Sequence, residues 1–359
     1  QYESILNATL LEIFRSGGHV ASVGRPGAGP GIALSFFLVA IACSFAALCY
    51  AELASMIPIA GSAYTYAYAT LGELFAWMVG WQLVLEYAVS NMAVAVGFAA
   101  HVNAVLDRFG IQLPVALSEP MFLNDQFTGH INLMSLLIMM LLTWLVARGV
   151  RESATANNVM VVIKISVIIL FCAVGATAMK PENWNPFFPN GLSGVLTGAA
   201  IVFFTYIGFD SVSTAAEECK NPQRDLPFGI IASLIICTIL YCSVALVLTG
   251  MQNWKTLNTA APVVNALKVM GAENVRWFVG VGALFGMISS LLVFQYGQSR
   301  IWYAMSRDGL LPRLFSRIHP THRTPFVSTW IAGFLVGIPA MIGDIGTFAD
   351  LANMGTLFA

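Results

Sequence analysis

Long runs of apolar residues, separated by short polar segments, make up most of this chain. A helix needs about 20 consecutive, mostly apolar residues to cross the hydrocarbon core of a bilayer, and eight segments come close to that length. They cover approximately residues 31–51, 74–99, 131–147, 158–179, 195–214, 227–250, 277–302 and 326–343. The pattern predicts an all-α polytopic membrane protein.

Both ends of the chain depart from this pattern. LANMGTLFA begins a further apolar run near residue 350. Residues 1–30 combine a short amphipathic stretch, QYESILNATLLEIFRS, with a loop rich in glycine and proline. Neither part is long enough to span a bilayer, and neither has the flanks of a signal peptide. We therefore predict a non-spanning N-terminal segment over 1–30 and a transmembrane domain over 31–359.

Composition agrees with a membrane location and excludes several other classes. Of 359 residues, 58% are hydrophobic and 10% charged, against about 25% charged in soluble domains; the mean hydropathy is +0.77. The net charge of -1 offers no basic face for nucleic acid. The six cysteines lack the spacing of a zinc site, and no nucleophile elbow or phosphate loop occurs. The sequence predicts neither an enzyme nor a metal site, and no cofactor.

Lysine and arginine are unevenly divided between the two sets of alternate loops, with nine in the loops after the first, third, fifth and seventh segments and five in the others. The nine are Arg148, Arg151, Lys220, Arg224, Arg300, Arg307, Arg313, Arg317 and Arg323. Positive residues concentrate in cytoplasmic loops, so the richer set, which includes SRDGLLPRLFSRIHPTHRTP, is assigned to the cytoplasm. The first intact segment then runs from outside to inside, which predicts a span before it that this sequence lacks.

Two ionisable residues lie inside apolar segments, where such groups are costly and often mark an ion or substrate pathway. Lys164 interrupts VVIKISVIIL, and Glu86 lies within GWQLVLEYAVSNMAVAVGFAA. Glu86 has a second interpretation as a neutral packing acid held by hydrogen bonds. Lys164 has a second interpretation as a side chain that extends towards the helix end or pairs permanently with a carboxylate.

A third irregularity is FFTYIGFDSVSTAAEECKNPQRDLP, residues 203–227, where an aromatic run meets Gly208 and Asp210 at membrane depth. Glycine permits unusual backbone angles, and a polar cluster at that depth does not face lipid. The segment predicts a helix that breaks and turns carbonyl groups towards a cavity. The alternative is a simple kink.

Three long motifs resemble the amino acid, polyamine and organocation (APC) superfamily, most closely its cationic amino acid transporter branch and bacterial relatives. They are CYAELASMIPIAGSAYTYAYATLGELFAWMVGWQLVLEY, FFTYIGFDSVSTAAEECKNPQRDLPFGI and YGQSRIWYAMSRDGLLP. The resemblance runs from about residue 28 to 359. It implies a LeuT-type fold of two inverted repeats, in which the eight segments correspond to helices two to nine and the final stub to the start of helix ten.

The sequence departs from the family pattern at two places. Members carry a first helix of the pattern G-x-G-x-G-I-F, whose backbone amides hold the substrate carboxylate, and no such stretch occurs here. Helices after the tenth are also absent. The resemblance therefore implies an incomplete LeuT-type bundle. It leaves an alternative open, a truncated or non-transporting membrane protein that serves as an amino acid sensor or scaffold.

The resemblance also implies a substrate site. The break in the sixth helix falls on Phe204, Thr205, Tyr206 and Ile207, whose carbonyls are expected to accept hydrogen bonds from a substrate ammonium group; Gly208 and Asp210 follow directly. Phe294 on the eighth helix resembles a substrate-facing position, and its bulk disfavours a long cationic substrate. Simple packing is the alternative for this phenylalanine.

The resemblance also implies a second set of residues, which would take part in proton coupling. The resemblance places Lys164 on the fifth helix, where its ammonium group would take the place of the sodium ion of sodium-coupled members. Ser289 and Ser290 on the eighth helix would contact it, and Glu86 on the third helix would join the polar network.

Together these expectations describe a secondary active transporter of L-amino acids, driven by protons and working by alternating access between broken helices one and six. Its expected partners are an L-amino acid, a proton and the lipid bilayer, with no nucleic acid. Its expected location is the plasma membrane, as a multi-pass protein.

Overall fold

Helices form in all eight apolar segments of the structure, a computed structural model that describes residues 27–59, 61–107, 110, 114–123, 126–206, 208, 212–213, 219, 221–257, 262–344, 347–348 and 351–352. The helices are α1 (Ile32–Met56), α2 (Ala63–Leu71), α3 (Glu73–Asp107), α4 (Val115–Ser118), α5 (Leu133–Arg148), α6 (Val150–Ala176), α7 (Gly191–Val202), α8 (Pro222–Met251), α9 (Pro262–Val269), α10 (Glu273–Arg307) and α11 (Phe326–Ile342). A short hairpin, β1 (Phe122–Leu123) and β2 (Gln126–Phe127), lies between α4 and α5. The predicted all-α class is confirmed.

Five of the described helices are long and apolar enough to cross a membrane, namely α1, α3, α6, α8 and α10. The longest, α3 and α10, have 35 residues each. The apolar helices α5, α7 and α11 are shorter. Large apolar side chains point outwards from this bundle, with Phe45 68% and Phe228 74% exposed. Such exposure is expected where lipid replaces water around the protein.

Local sequence signals set several helix boundaries. The Asn132 side chain accepts a hydrogen bond from the Ser135 N–H at 3.2 Å and so caps α5. Pro222 lies in the first turn of α8, where its missing N–H costs nothing. Gly149 has a φ of 147° between α5 and α6, a value that favours glycine. These signals explain why α5, α6 and α8 begin where they do.

Buried side chains form two hydrophobic cores. The first core is built mainly from α2, α3, α5, α10 and α11. The second core is built mainly from α1, α7, α8 and α9. Helix α6 contributes Met160 to the first core and Val167, Ile168 and Phe171 to the second. Because α10 also contributes Val279 to the second core, α6 and α10 connect the two.

The link from α1 to α2 passes from the second core to the first. Gly61 and Ser62 take positive φ angles of 140° and 54° there. The fully buried Tyr64 then donates a hydrogen bond of 2.9 Å to the Asp308 carboxylate at the end of α10. Burial, together with that carboxylate, raises the pKa of the Tyr64 hydroxyl, so it remains a donor. This bond fixes α2 to the first core.

Small residues on α10 let α6 approach closely. A Cβ at Gly282 would overlap the Val167 side chain, and a Cβ at Gly286 would lie 3.0 Å from Lys164 Cδ. Helices in membranes pack tightly where small residues allow the backbones to approach, because lipid provides no hydrophobic driving force between them. The α6–α10 contact therefore depends on Gly282 and Gly286.

Replacing Gly282 with Ala is expected to lower the free energy of unfolding by about 1–3 kcal/mol, because the new methyl group overlaps Val167. Thermal unfolding of the purified protein in detergent measures the effect. Gly229→Ala on α8 is the control, since the nearest atom to its new Cβ is 3.5 Å away. If both variants unfold at the same temperature, the α6–α10 contact does not depend on a small residue at position 282.

Candidate functional site

Helix α7, in the segment matched to the family's sixth helix, is interrupted close to the predicted position. Helix α7 ends at Val202 and continues as a 3₁₀ helix over Phe203–Tyr206. Gly208 is buried and has a φ of 104°, in the region that side-chain-bearing residues rarely adopt. The chain therefore leaves the regular helix before Gly208. Ile207 and Asp210 lie outside the described residues.

Tyrosine hydroxyls hold the interrupted segment in the second core. Tyr241 on α8 donates a hydrogen bond of 2.9 Å to the Thr205 carbonyl. Tyr206 donates to the Phe36 carbonyl at 3.0 Å, and its ring stacks edge-on against Tyr241 at 5.2 Å. The Thr205 carbonyl is thus held in place by the Tyr241 hydroxyl.

Lys164 is buried between helices, with 3% of its surface exposed. Helix α6 begins at Val150, earlier than the predicted segment, which places Lys164 about four turns inside the helix. Its methylene groups pack against Gly286 of α10. The side chain therefore points into the α6–α10 contact, which argues against an extension towards the nearer helix end.

Ser289, one of the two serines predicted beside Lys164, lies in the same interhelical contact. Ser289 and Ser290 are 2% and 0% exposed. The Ser289 hydroxyl donates a hydrogen bond to Asn157 Oδ1 across the contact. The Ser290 hydroxyl donates to the Gly286 carbonyl at 3.1 Å, within its own helix. Each serine oxygen keeps acceptor capacity after these bonds are made.

Asn157 is a member of this contact that sequence reasoning missed. It lies two turns before Lys164 on α6, so both residues share one helix face. An asparagine in the polar first turns of a helix gives only a weak signal. Its spacing of seven residues from a buried lysine is the feature that could have drawn attention to it.

The contact between α3 and α10 holds the remaining predicted residues. Glu86 is buried on α3, with 3% exposed. Phe294 on α10 is fully buried and stacks against Tyr87, with ring centroids 5.6 Å apart. Phe294 thus lies in the first core, whereas Thr205 and Tyr206 lie with the helices of the second.

Several polar atoms near Glu86 are buried without a hydrogen-bond partner among the described residues. They are Ser90 Oγ, both polar atoms of the Asn91 side chain, and Oε1 of Gln298 on α10. Buried polar groups are nearly always hydrogen-bonded, so such atoms call for a physical explanation. In the described part of the chain they give the α3–α10 contact a polar character.

A multi-pass helical bundle with an interrupted helix and a buried lysine between two cores has the architecture of a membrane transporter. The model of the amino acid permease family matches residues 5–359. The chain belongs to the amino acid permease family, within the APC superfamily, as its motifs predicted. It is an integral, multi-pass membrane protein of a transporter family and not an enzyme.

Three relatives illustrate the similarity. The chain is 47% identical over 339 residues to a methylthioribose transporter of Bacillus subtilis, covering 94% of this chain and 73% of that protein. It is 46% identical over 342 residues to the branched-chain amino acid permease BcaP of the same organism, covering 95% and 73%. It is 40% identical over 336 residues to the chloroplastic cationic amino acid transporter 9 of Arabidopsis thaliana, covering 92% and 58%.

Replacing Tyr241 with Phe is expected to lower the free energy of unfolding by about 1 kcal/mol, because the Thr205 carbonyl loses its buried donor. The measurement is chemical or thermal unfolding in detergent. Tyr303→Phe on α10, where the ring is partly exposed, is the control and should unfold like the parent. A Tyr241→Phe protein as stable as this control would show that the bond does not hold the interrupted segment.

Proposed function

We propose that this protein is a secondary active transporter of L-amino acids that is driven by protons and works by alternating access. The observation that carries the proposal is Lys164, a lysine buried about four turns inside α6 and packed against Gly286 of α10. Ionisable residues at membrane depth mark ion and proton pathways. The lysine lies where the helices shared by the two cores meet, so a charge on it would act on both.

Lys164 is proposed to take up and release the coupling proton. In its protonated form, the ammonium group would use the acceptor capacity of Ser289 and Ser290, which the Asn157 and Gly286 hydrogen bonds leave available. In its neutral form this attraction would be lost. Glu86 would act in the same polar network from α3. The α6–α10 contact would then be tighter in one protonation state than in the other.

The interrupted segment is proposed to bind the substrate ammonium group. The carbonyls of Phe204, Thr205, Tyr206 and Ile207 would accept its hydrogen bonds, with Gly208 providing the backbone turn and Asp210 lying near the pocket. Unwound helix ends carry partial negative charge, which suits a cation. Phe294, which lies in the first core, would limit the substrate side chain from that side of the pocket. This favours a neutral, branched-chain substrate, as named for BcaP.

A methylthioribose-like substrate is the second candidate, because a relative of 47% identity is named for that transport. A sensor or scaffold that does not transport is the third. For location we propose the plasma membrane, although plant relatives are named for the chloroplast and the vacuole. Uptake of radiolabelled leucine, arginine and methylthioribose by proteoliposomes containing the full-length protein separates these candidates. Binding without uptake would favour the sensor.

Replacing Lys164 with Met is expected to abolish leucine uptake driven by an inward proton gradient, because Met fills a similar volume without a titratable group. Counting radiolabel in proteoliposomes with and without the gradient gives the result. Lys180→Met serves as the control, since Lys180 is exposed outside the helices. Accumulation at the parental level in Lys164→Met would eliminate the lysine as the proton carrier.

Replacing Gly208 with Ala is expected to weaken substrate binding about 10-fold or more, because a Cβ is strained at a φ of 104°. Equilibrium binding of radiolabelled substrate to purified protein provides the test. Gly271→Ala is the matched control, since it also has a positive φ, 78°, with open space around its Cβ position. Equal affinities in the two variants would place the substrate away from the interrupted helix.

A further inference from the structure

Arginines cluster at one end of the first core. Arg313, Arg317 and Arg323 are exposed on the loop between α10 and α11. Arg148 at the end of α5 and Arg300 near the end of α10 belong to the same end of the bundle. We call these five residues the basic surface. The charge distribution between loops assigns this end to the cytoplasm.

Two arginines of the basic surface are held against aromatic rings. The Arg148 guanidinium lies 3.9 Å from the centroid of the Trp144 ring, and that of Arg300 lies 4.7 Å from the centroid of Tyr296. A cleft between the ends of α5 and α10 and the start of α11 is lined by Arg300, Tyr296 and Thr324, among others. Stacked guanidinium groups are partly preorganised for binding an anion.

The loop between α10 and α11 has too few acidic side chains to neutralise its arginines. Between Ser306 and Pro325 the sequence contains one acidic residue, Asp308. Its carboxylate accepts the Tyr64 hydrogen bond and lies 3.6 Å from Arg307 Nε, so it is already engaged. The exposed Arg313, Arg317 and Arg323 therefore outnumber the acidic residues of this loop and give it a net positive charge.

Apolar side chains stand among the exposed arginines. Leu314 is 44%, Ile318 50% and Phe326 37% exposed, on or beside a loop that lies next to the ends of membrane-spanning helices. A small anion from water would neutralise the arginines but leave these apolar side chains in contact with solvent. A membrane surface accommodates both features, because apolar side chains enter the interfacial region while arginines meet the phosphates.

We propose that the basic surface binds the phosphate headgroups of anionic phospholipids in the cytoplasmic leaflet and anchors the first core to them. Arginine suits this ligand because its planar fork of N–H groups matches phosphate oxygens. The opposite loops carry the exposed lysines Lys180, Lys255 and Lys268, and Arg276 there is already bonded to Glu273. This site is independent of the transported substrate and of the coupling proton.

The test uses purified full-length protein in neutral detergent. Phosphatidylglycerol is titrated in, and the thermal unfolding midpoint is followed; phosphatidylcholine and inorganic phosphate are titrated separately. Phosphatidylglycerol alone is expected to raise the midpoint. In the triple variant Arg313→Gln, Arg317→Gln, Arg323→Gln the half-maximal concentration should rise about 10-fold or more. The control triple variant Lys180→Gln, Lys255→Gln, Lys268→Gln should match the parent.

The triple replacement of the same arginines by Lys provides a second variant that keeps the charge. It should retain part of the response, because lysine keeps the positive charge but lacks the planar fork of arginine, and this separates lost binding from lost folding if the glutamine variant is unstable. Equal responses of the arginine-to-glutamine and lysine-to-glutamine variants would overturn the proposal. An equal response to inorganic phosphate would show a site for a free anion, and no response to phosphatidylglycerol in the parent would overturn lipid binding altogether.

Discussion

The close contact between α6 and α10 is the constraint on which the rest of the structure depends. These two helices contribute to both hydrophobic cores, and Gly282 and Gly286 determine how near they come. The same contact buries Lys164 and brings Ser289 to Asn157. One helix pair therefore joins the two cores and also isolates a basic group from lipid and water. Changes in that pair would be transmitted to both cores.

Much of the fold could be predicted from the sequence, because apolar runs of membrane length leave the backbone few options. Without water, backbone groups must bond within their own segment, and helices satisfy this requirement. The interruption before Gly208 was predictable for a related reason, since glycine and polar residues at membrane depth require a special backbone. The burial of Lys164 followed from its apolar neighbours.

The contacts between distant residues could not be predicted in the same way. The bonds from Tyr241 to Thr205 and from Ser289 to Asn157 join residues far apart in the chain, and nothing in a local pattern identifies the partner. Some helices also begin or end at residues other than the ends of the predicted apolar segments. Helix α6 extends back to Val150, because a helix can continue through polar residues where it projects beyond the bilayer. Helix α7 ends at Val202, where the 3₁₀ turn begins.

The length of α3 and α10 has a consequence for the membrane itself. Helices of 35 residues extend about 52 Å, whereas the hydrocarbon core is about 30 Å thick. They meet along much of that length, from Gly280 against Val105 to Gly80 against Met305, so they tilt as one unit. The first core therefore has to tilt or project beyond the bilayer, and the extent of either depends on bilayer thickness. Lipid chain length thus becomes a mechanical variable for this protein, because it sets how far the two long helices incline in the bilayer.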